Sequence, residues 1–98
     1  MDLQEHLLYI TKLRLQESCI PKIRGVSAFW KQEENTACIS FYFNGEITED
    51  GFDLASDLCG EIISHFPDGL LEEHYIRWDT PKPLPKENFI PYNPQNES

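Results

Sequence analysis

The stretch from Glu46 to Phe66 constrains the fold most, because its apolar residues recur with the spacing of an amphipathic helix. We predict that this helix begins just after Thr48 and is closed by the Pro67-Asp68-Gly69 turn. At about 100° per residue, one side collects the apolar residues, which are Phe52, Ala55, Leu58, Cys59, Ile62 and Phe66. That side must be covered by other elements, and Gly60 is interpreted as a point where one of them approaches closely.

The opposite side of this predicted helix carries negative charge alone. Its acids fall within about 80° of arc, and they are Asp50, Asp53, Asp57 and Glu61. No Lys or Arg occurs between Glu46 and His74. Like charges three or four positions apart each cost about 0.2–0.5 kcal/mol, so a helix selected for stability alone would interleave bases. The acids therefore indicate a surface for a partner, and a solvated helix face is the alternative.

The acid excess of the chain is confined to one segment. The net charge is −9, and residues 46–79 hold ten of the 17 acids but one of the eight bases, Arg77. Direct binding to nucleic acid is disfavoured because its phosphates would be repelled. A basic protein is the natural complement, whereas acidity that merely keeps the protein soluble is the alternative.

Alternating apolar residues predict three strands. Residues 22–30 and 36–43 form a hairpin, and residues 70–78 form a third strand after the acidic helix. A sheet of this size leaves one face open, and the aromatic residues expected there are Phe29, Tyr42 and Tyr75.

A first helix precedes these strands and completes the predicted fold. Asp2 is placed to cap it, with Glu5 three residues on as in a capping box, and the helix ends near Glu17. We predict a single α+β domain over residues 1–92, with both helices packed on one face of a three-stranded sheet. Residues 93–98 are expected to form a flexible tail.

The first helix carries more leucine than a narrow apolar stripe requires. One face is formed by Leu3, Leu7, Ile10 and Leu13. Leu8 and Leu15 lie about a third of a turn away from that face. They indicate either a wide buried face or a second contact surface, for a homodimer or for another partner.

A proline-rich segment follows the third strand. The run from Pro81 to Pro85 favours an extended path, and the apolar residues after it, Phe89, Ile90 and Tyr92, are able to pack on the body. We interpret the segment as a rigid strap over an edge strand. A ligand for a proline-recognition domain is the alternative.

No catalytic or metal-binding pattern accompanies the acids. Helix-borne carboxylates that face water have no source of a raised pKa, and no nucleophile and base are paired. His6, His65 and His74 lack metal-ligand spacing, the calcium-loop pattern is absent, and the glycines form no phosphate loop. We therefore predict a protein that is not an enzyme and that binds no metal and no cofactor.

The cysteines and the N-terminal sequence indicate a reducing compartment. Cys19, Cys38 and Cys59 are odd in number and lack Cys-x-x-Cys spacing, so unpaired, buried thiols are expected. The start of the chain lacks the basic and apolar regions of a signal peptide. No run approaches the roughly 18 apolar residues of a membrane span. We expect a cytoplasmic protein with no membrane partner.

Three segments resemble a known family. They are the aromatic strand and turn Phe41-Tyr42-Phe43-Asn44-Gly45-Glu46-Ile47-Thr48-Glu49-Asp50, the helix end Glu61-Ile62-Ile63-Ser64-His65-Phe66-Pro67, and the tail from Ile76 to Pro85. From Arg24 onward the chain is similar to small acidic bacterial immunity proteins of contact-dependent inhibition and related polymorphic toxin systems. The resemblance implies that the protein binds and neutralises a cognate toxin, often a nuclease, inside the producing cell. The shared motifs are structural, so no catalytic residue is implied.

A nuclease toxin needs a basic surface to hold nucleic acid, and an acidic inhibitor would cover it. The partner-binding residues predicted on this basis are Glu46, Glu49, Asp50, Asp53, Leu54, Asp57, Glu61, Glu72 and Asp79. Glu73 is a further candidate, and Tyr42 or Tyr75 would supply an aromatic anchor. The alternative is a small adaptor or self-associating subunit that uses its leucine faces or proline-rich tail. The expected state is a monomer or a weak homodimer.

Overall fold

Two α-helices and four strands form within residues 2–92, the part of the chain that this computed structural model describes. In chain order they are helix α1 (Leu3–Glu17), strands β1 (Ile23–Lys31) and β2 (Thr36–Phe43), helix α2 (Glu49–Ile63), and strands β3 (Leu70–Arg77) and β4 (Phe89–Pro91). Within this range neither helix has the length and apolar character that crossing a membrane requires. The tail predicted over residues 93–98 lies outside the described residues.

The strands form one mixed sheet in the order β3-β2-β1-β4. Strands β1 and β2 make the predicted antiparallel hairpin, and β3 pairs in parallel with β2 because α2 carries the chain back across the sheet. The prediction of three strands is wrong, since β4 pairs antiparallel with β1 and places Phe89 opposite Ser27. A three-residue strand that ends in proline gives no alternating pattern from which it could be recognised.

The proline-rich strap is not seen in the predicted form. Strand β4 covers the edge of β1, whereas Pro81–Pro85 pair with no strand. This segment is fixed by side chains instead: Arg24 Nη1 donates hydrogen bonds to the carbonyls of Trp78 (2.8 Å) and Lys82 (2.9 Å). The indole N–H of Trp78 donates to the carbonyl of Pro83 at 2.9 Å. The segment therefore folds over the exit of β3 rather than along a sheet edge.

Both helices pack on one face of the sheet, as predicted, and the core lies between the two layers. Strand residues such as Val26, Ile39 and Phe41 are fully buried against helix residues such as Leu7 and Ile62. Asp2 caps α1 by accepting a hydrogen bond from the backbone N–H of Glu5 at 2.8 Å. Burial of apolar surface in this shared core is the main contribution to stability.

The buried side of α1 differs from the predicted one. It is formed by Leu7, Ile10, Thr11 and Leu15. Leu3 and Leu13, which were expected to be buried, are 43% and 42% exposed. Leu15 is buried and Leu8 packs partly against the core, so of the two interpretations of these leucines burial is confirmed and a second contact surface is not.

The open face of the sheet carries only part of the expected aromatic set. Phe29 is 50% exposed there. Tyr42 lies on this face but is buried by the rings of Trp78 and Phe89, whose centroids lie 5.4 and 5.6 Å from its own. Tyr75 was expected here and instead stacks on Phe41 on the helix side, because it stands opposite Phe41 in the parallel register.

Gly60 allows no close approach, contrary to the interpretation of the sequence. A Cβ atom added there would meet nothing within 4 Å. We therefore expect Gly60→Ala to raise the free energy of unfolding by about 1 kcal/mol, because glycine is that much worse than alanine inside a helix. Urea denaturation measures the change. Gly69→Ala is the matched control and should destabilise, since its Cβ would lie 2.8 Å from the Trp30 ring. Destabilisation by Gly60→Ala would contradict the exposed position of Gly60.

Candidate functional site

Helix α2 is fixed in place by its first residues and by its apolar side. The Thr48 side chain accepts a hydrogen bond from the backbone N–H of Gly51 at 3.0 Å, which caps the helix as its sequence suggested. The predicted core positions Ala55, Leu58, Cys59, Ile62 and Phe66 are buried. Only Phe52 departs from the prediction, being 46% exposed. The helix is thus a rigid support for whatever its outer side presents.

The outer side of α2 presents carboxylates that have no charge partner. We call Asp50, Asp53, Asp57 and Glu61 the acidic ridge, and all four are exposed. Among residues 2–92, no Lys, Arg or His nitrogen lies within 4.0 Å of a ridge carboxylate. Leu54 stands beside the ridge and is 41% exposed. The ridge is therefore a concentrated negative surface with one apolar side chain at its border.

The start of α2 extends this surface. Glu46 and Glu49 are exposed, and Glu49 lies in the first turn, where the helix dipole favours negative charge. Glu46 contributes to raising the pKa of Arg77, after the larger effect of the hydrogen bonds to Asp79. This end of the surface therefore includes a positive charge that the ridge itself lacks.

Asp79 is held by the protein's own groups. Its carboxylate accepts hydrogen bonds from Arg77 Nε (3.1 Å to each oxygen) and from the backbone N–H of Gly45 (2.7 Å). These bonds, led by the one from Arg77, lower the pKa of Asp79 below its ordinary value of 3.8. Asp79 thereby ties the exit of β3 to the Asn44-Gly45 turn, so it is less free for a partner than the ridge.

We expect the stability supplied by Asp79 to depend on pH. Because its pKa is lower in the folded state, the contribution is fully present above about pH 4 and is lost as pH falls through the folded pKa. Asp79→Asn should therefore destabilise at pH 7, and progressively less as pH is lowered from 4 through the folded pKa of Asp79, as measured by urea denaturation at a series of pH values. Asp57→Asn is the control, since it removes a ridge charge and breaks no bond within residues 2–92. An Asp79→Asn deficit that does not shrink at any pH below 4 at which the protein stays folded would contradict this account.

Glu72 is not brought together with the ridge. In the parallel register it stands opposite Cys38, on the open face of the sheet, whereas α2 covers the other face. There Glu72 contacts His74 Nε2 (2.6 Å), Lys31 Nζ (3.0 Å) and Cys38 Sγ (3.4 Å). The bond to His74, followed by those from Lys31 and Cys38, lowers the pKa of Glu72 to about 2. The sequence did not reveal this separation because it depends on the pairing of β3 with β2.

The aromatic anchors near the ridge also differ from those predicted. Tyr75 is half-buried, and its hydroxyl donates a hydrogen bond to Glu73, whose carboxylate is thereby occupied. Burial, together with this bond, raises the pKa of Tyr75. Phe52 packs against the Tyr75 ring with centroids 4.5 Å apart and keeps nearly half of its surface exposed. Phe52 and Leu54 are therefore the apolar side chains available on α2, and sequence reasoning missed Phe52 by assigning it to the core.

Comparison with known protein families gives a match that covers this surface. Residues 4–92 match the family model described as MafI2 immunity protein. The matched range includes the acidic ridge, α1 from its second residue, all of α2 and all four strands of the described part of the chain. The search of curated proteins returned no match.

Proposed function

The chain belongs to the MafI2 immunity protein family, and we propose that it neutralises its cognate toxin by binding a basic surface through the acidic ridge. The family supplies the role of an immunity protein, which confirms the resemblance drawn from the sequence. The observation that carries the proposed mode of binding is that the ridge carboxylates are exposed, unpaired within residues 2–92, and fixed on a capped helix.

The dimensions of the ridge suit a protein interface. Asp50 and Glu61 are eleven positions apart, so the ridge extends about 16 Å at 1.5 Å per helical residue. A standard interface covers about 800 Å² on each partner, of which such a helix supplies the central part. Leu54 and Phe52 border the ridge and provide the apolar contacts that charges alone seldom replace.

The electrostatics favour a cationic partner. The ridge acids repel one another along the helix in the free protein, and a partner that brings Lys or Arg between them would relieve that repulsion. No internal ion pair within residues 2–92 must be broken first. Complementary charge also steers the encounter and accelerates association.

The proposal names the class of toxin. A toxin that cleaves nucleic acid must present Lys and Arg to phosphates, and the ridge offers carboxylates for the same basic groups. In this proposal the chain acts by occupying that surface, without catalysis, in the cytoplasm of the cell that makes the toxin. Because the ridge lies on one convex helix, its binding requires no pocket on the immunity protein.

Co-expression tests the proposal directly. Cells that express the toxin domain encoded next to this chain should survive only when the chain is also expressed. The two purified proteins should form a complex whose affinity, measured by calorimetry, falls as sodium chloride is raised from 50 to 300 mM, because salt screens exposed charges. A complex with salt-independent affinity would contradict binding through the ridge. Toxicity that persists despite co-expression would contradict neutralisation of that toxin.

The self-associating alternative is supported by a different surface. Leu3, Tyr9 and Leu13 of α1 are 43%, 53% and 42% exposed. If they form a dimer interface, sedimentation of the isolated protein should show a dimer that does not depend on salt. A monomer at the same concentrations leaves the toxin-binding proposal as the one supported.

A further inference from the structure

Three side chains of metal-binding type converge on the open face of the sheet. Cys38 of β2 stands beside Glu72 and His74 of β3, and their ligand atoms all lie within 4.8 Å of one another. Cys38 Sγ is 3.4 Å from Glu72 Oε2, and His74 Nε2 is 2.6 Å from the same oxygen. The parallel pairing of β2 and β3 produces this arrangement, which no spacing in the sequence announces.

We propose that Cys38, Glu72 and His74 bind a zinc ion, with water as the fourth ligand. A thiolate, an imidazole and a carboxylate are the ligand types that zinc takes in proteins. With zinc about 2.3 Å from sulfur and 2.0–2.1 Å from nitrogen and oxygen, tetrahedral ligand atoms lie about 3.3–3.6 Å apart. The Cys38–Glu72 distance fits already, and the His74–Glu72 distance must widen by about 0.7 Å. Both β3 side chains are partly exposed and have room for that change.

Zinc binding at this site releases a proton and involves no change of oxidation state. Cys38 donates its thiol hydrogen to Glu72 in the metal-free protein. Zinc replaces that proton, which leaves to solvent, and Glu72 contributes one carboxylate oxygen. The ring hydrogen of His74, which faces Glu72 from Nε2 in the metal-free protein, moves through solvent to Nδ1, so that Nε2 offers its lone pair to the ion. One thiolate and one carboxylate then neutralise the two positive charges of the ion.

Lys31 opposes the ion and gives the proposal a distinctive test. Its Nζ lies 3.0 and 3.1 Å from the two oxygens of Glu72, where it holds the carboxylate in the metal-free protein. A bound dication must share that carboxylate with an ammonium group and is repelled by it. Removal of the Lys31 charge should therefore tighten zinc binding. If Cys38, Glu72 and His74 instead form only a hydrogen-bonded cluster that binds no ion, removal of Lys31 should not tighten zinc binding.

The proposed zinc site is separate from the acidic ridge. It lies on the face of the sheet opposite α2, and it would join the central strand β2 to the edge strand β3. Since the two strands are connected through α2, an ion between them closes the loop that contains the acidic ridge. Zinc bound to the folded state alone would raise the stability of the protein by mass action.

Titration with zinc chloride and with cobalt chloride tests the proposal on the full chain. Wild type should bind one ion, show the near-ultraviolet thiolate-to-cobalt absorption, and melt at a higher temperature with zinc. Cys38→Ser and His74→Gln should each weaken zinc binding more than about tenfold and abolish or shift the cobalt absorption. Lys31→Met should tighten binding by at least threefold.

Matched variants separate this site from adventitious binding. Cys19→Ser and His65→Gln remove the same residue types at exposed positions outside the site and should leave both titrations unchanged. Cys19 is exposed and Cys38 is half-buried, so the expectation of buried thiols is wrong for Cys19 and holds fully for Cys59 alone. Circular dichroism should show that all variants fold, since every substituted side chain lies at least partly on the surface. Absence of the thiolate-to-cobalt band in wild type, or equal losses in the Cys19 and Cys38 variants, would overturn the proposal.

Discussion

Replacing Asp53 and Asp57 together by lysine is expected to weaken toxin binding by at least about 100-fold, which corresponds to about 2.7 kcal/mol. The two residues are exposed in the middle of the ridge and have no charge partner within residues 2–92. Their replacement reverses the sign of the surface where we propose that the basic toxin binds, and facing like charges cost several kcal/mol across an interface. The fold should persist, because both side chains point away from the core.

A second double variant controls for total charge. Glu33→Lys with Glu34→Lys changes the net charge equally, but on the exposed turn between β1 and β2. We expect this control to alter association modestly through long-range steering and to leave dissociation almost unchanged. Calorimetry and surface-binding kinetics distinguish the two variants. Equal losses of affinity would show that total charge, and not the ridge, determines recognition; no loss in either would remove α2 from the interface.

The local signals of the sequence predicted most element boundaries well, although α2 ends at Ile63, three residues before the predicted end at Phe66. Strand β2 occupies residues 36–43 as predicted, and α2 begins directly after Thr48 because its hydroxyl caps the helix. Such features depend on neighbouring residues alone. Strand β4 depends instead on the free edge of β1, more than 55 positions earlier in the chain, so its pairing could not be inferred from its own three residues.

The orientation of α1 shows a limit of periodicity. Leucines at positions 3, 7, 8, 13 and 15 allow several overlapping apolar faces. The structure buries Leu7 and Leu15 and leaves Leu3 and Leu13 half-exposed. The choice is made by where β1 and α2 offer a surface to cover, which is a tertiary property. In α2 the acids occupy one whole side, so only the opposite side is able to face the core. The predicted orientation of α2 is therefore the observed one.

The sequence likewise predicted some features of the candidate site and not others. The ridge follows from helical geometry, so its exposure could be inferred from residue spacing. The contacts of Glu72 are determined by the parallel register of β3, and those of Asp79 by the turn at Gly45. Neither set of contacts could be inferred from the sequence. The convergence of Cys38 with Glu72 and His74 is a product of the same register. Contacts within one element were therefore accessible from the sequence, and contacts between elements were not.

In this layered arrangement, the residues that anchor α2 in the core are different from those that α2 exposes to solvent. If this separation is real, a change in the core should reduce stability without changing the affinity of the folded protein for its toxin. Phe41 provides the strongest test, since it is fully buried in the central strand β2 and stacks on Tyr75, which in turn contacts Phe52 of α2.

Phe41→Ala is expected to lower the free energy of unfolding by about 3–5 kcal/mol, through lost apolar burial and the cavity that remains. Phe29→Ala is the matched control on the neighbouring strand, and it should cost less than about 1 kcal/mol because Phe29 is 50% exposed. Urea denaturation measures both changes. The free energy of unfolding of a domain of this size is about 5–15 kcal/mol. Part of the Phe41→Ala protein should therefore remain folded at low temperature, and calorimetry should show that this part binds toxin. Equal costs for the two substitutions would contradict the assigned core, and a lost affinity in molecules that remain folded would show that the core also shapes the ridge.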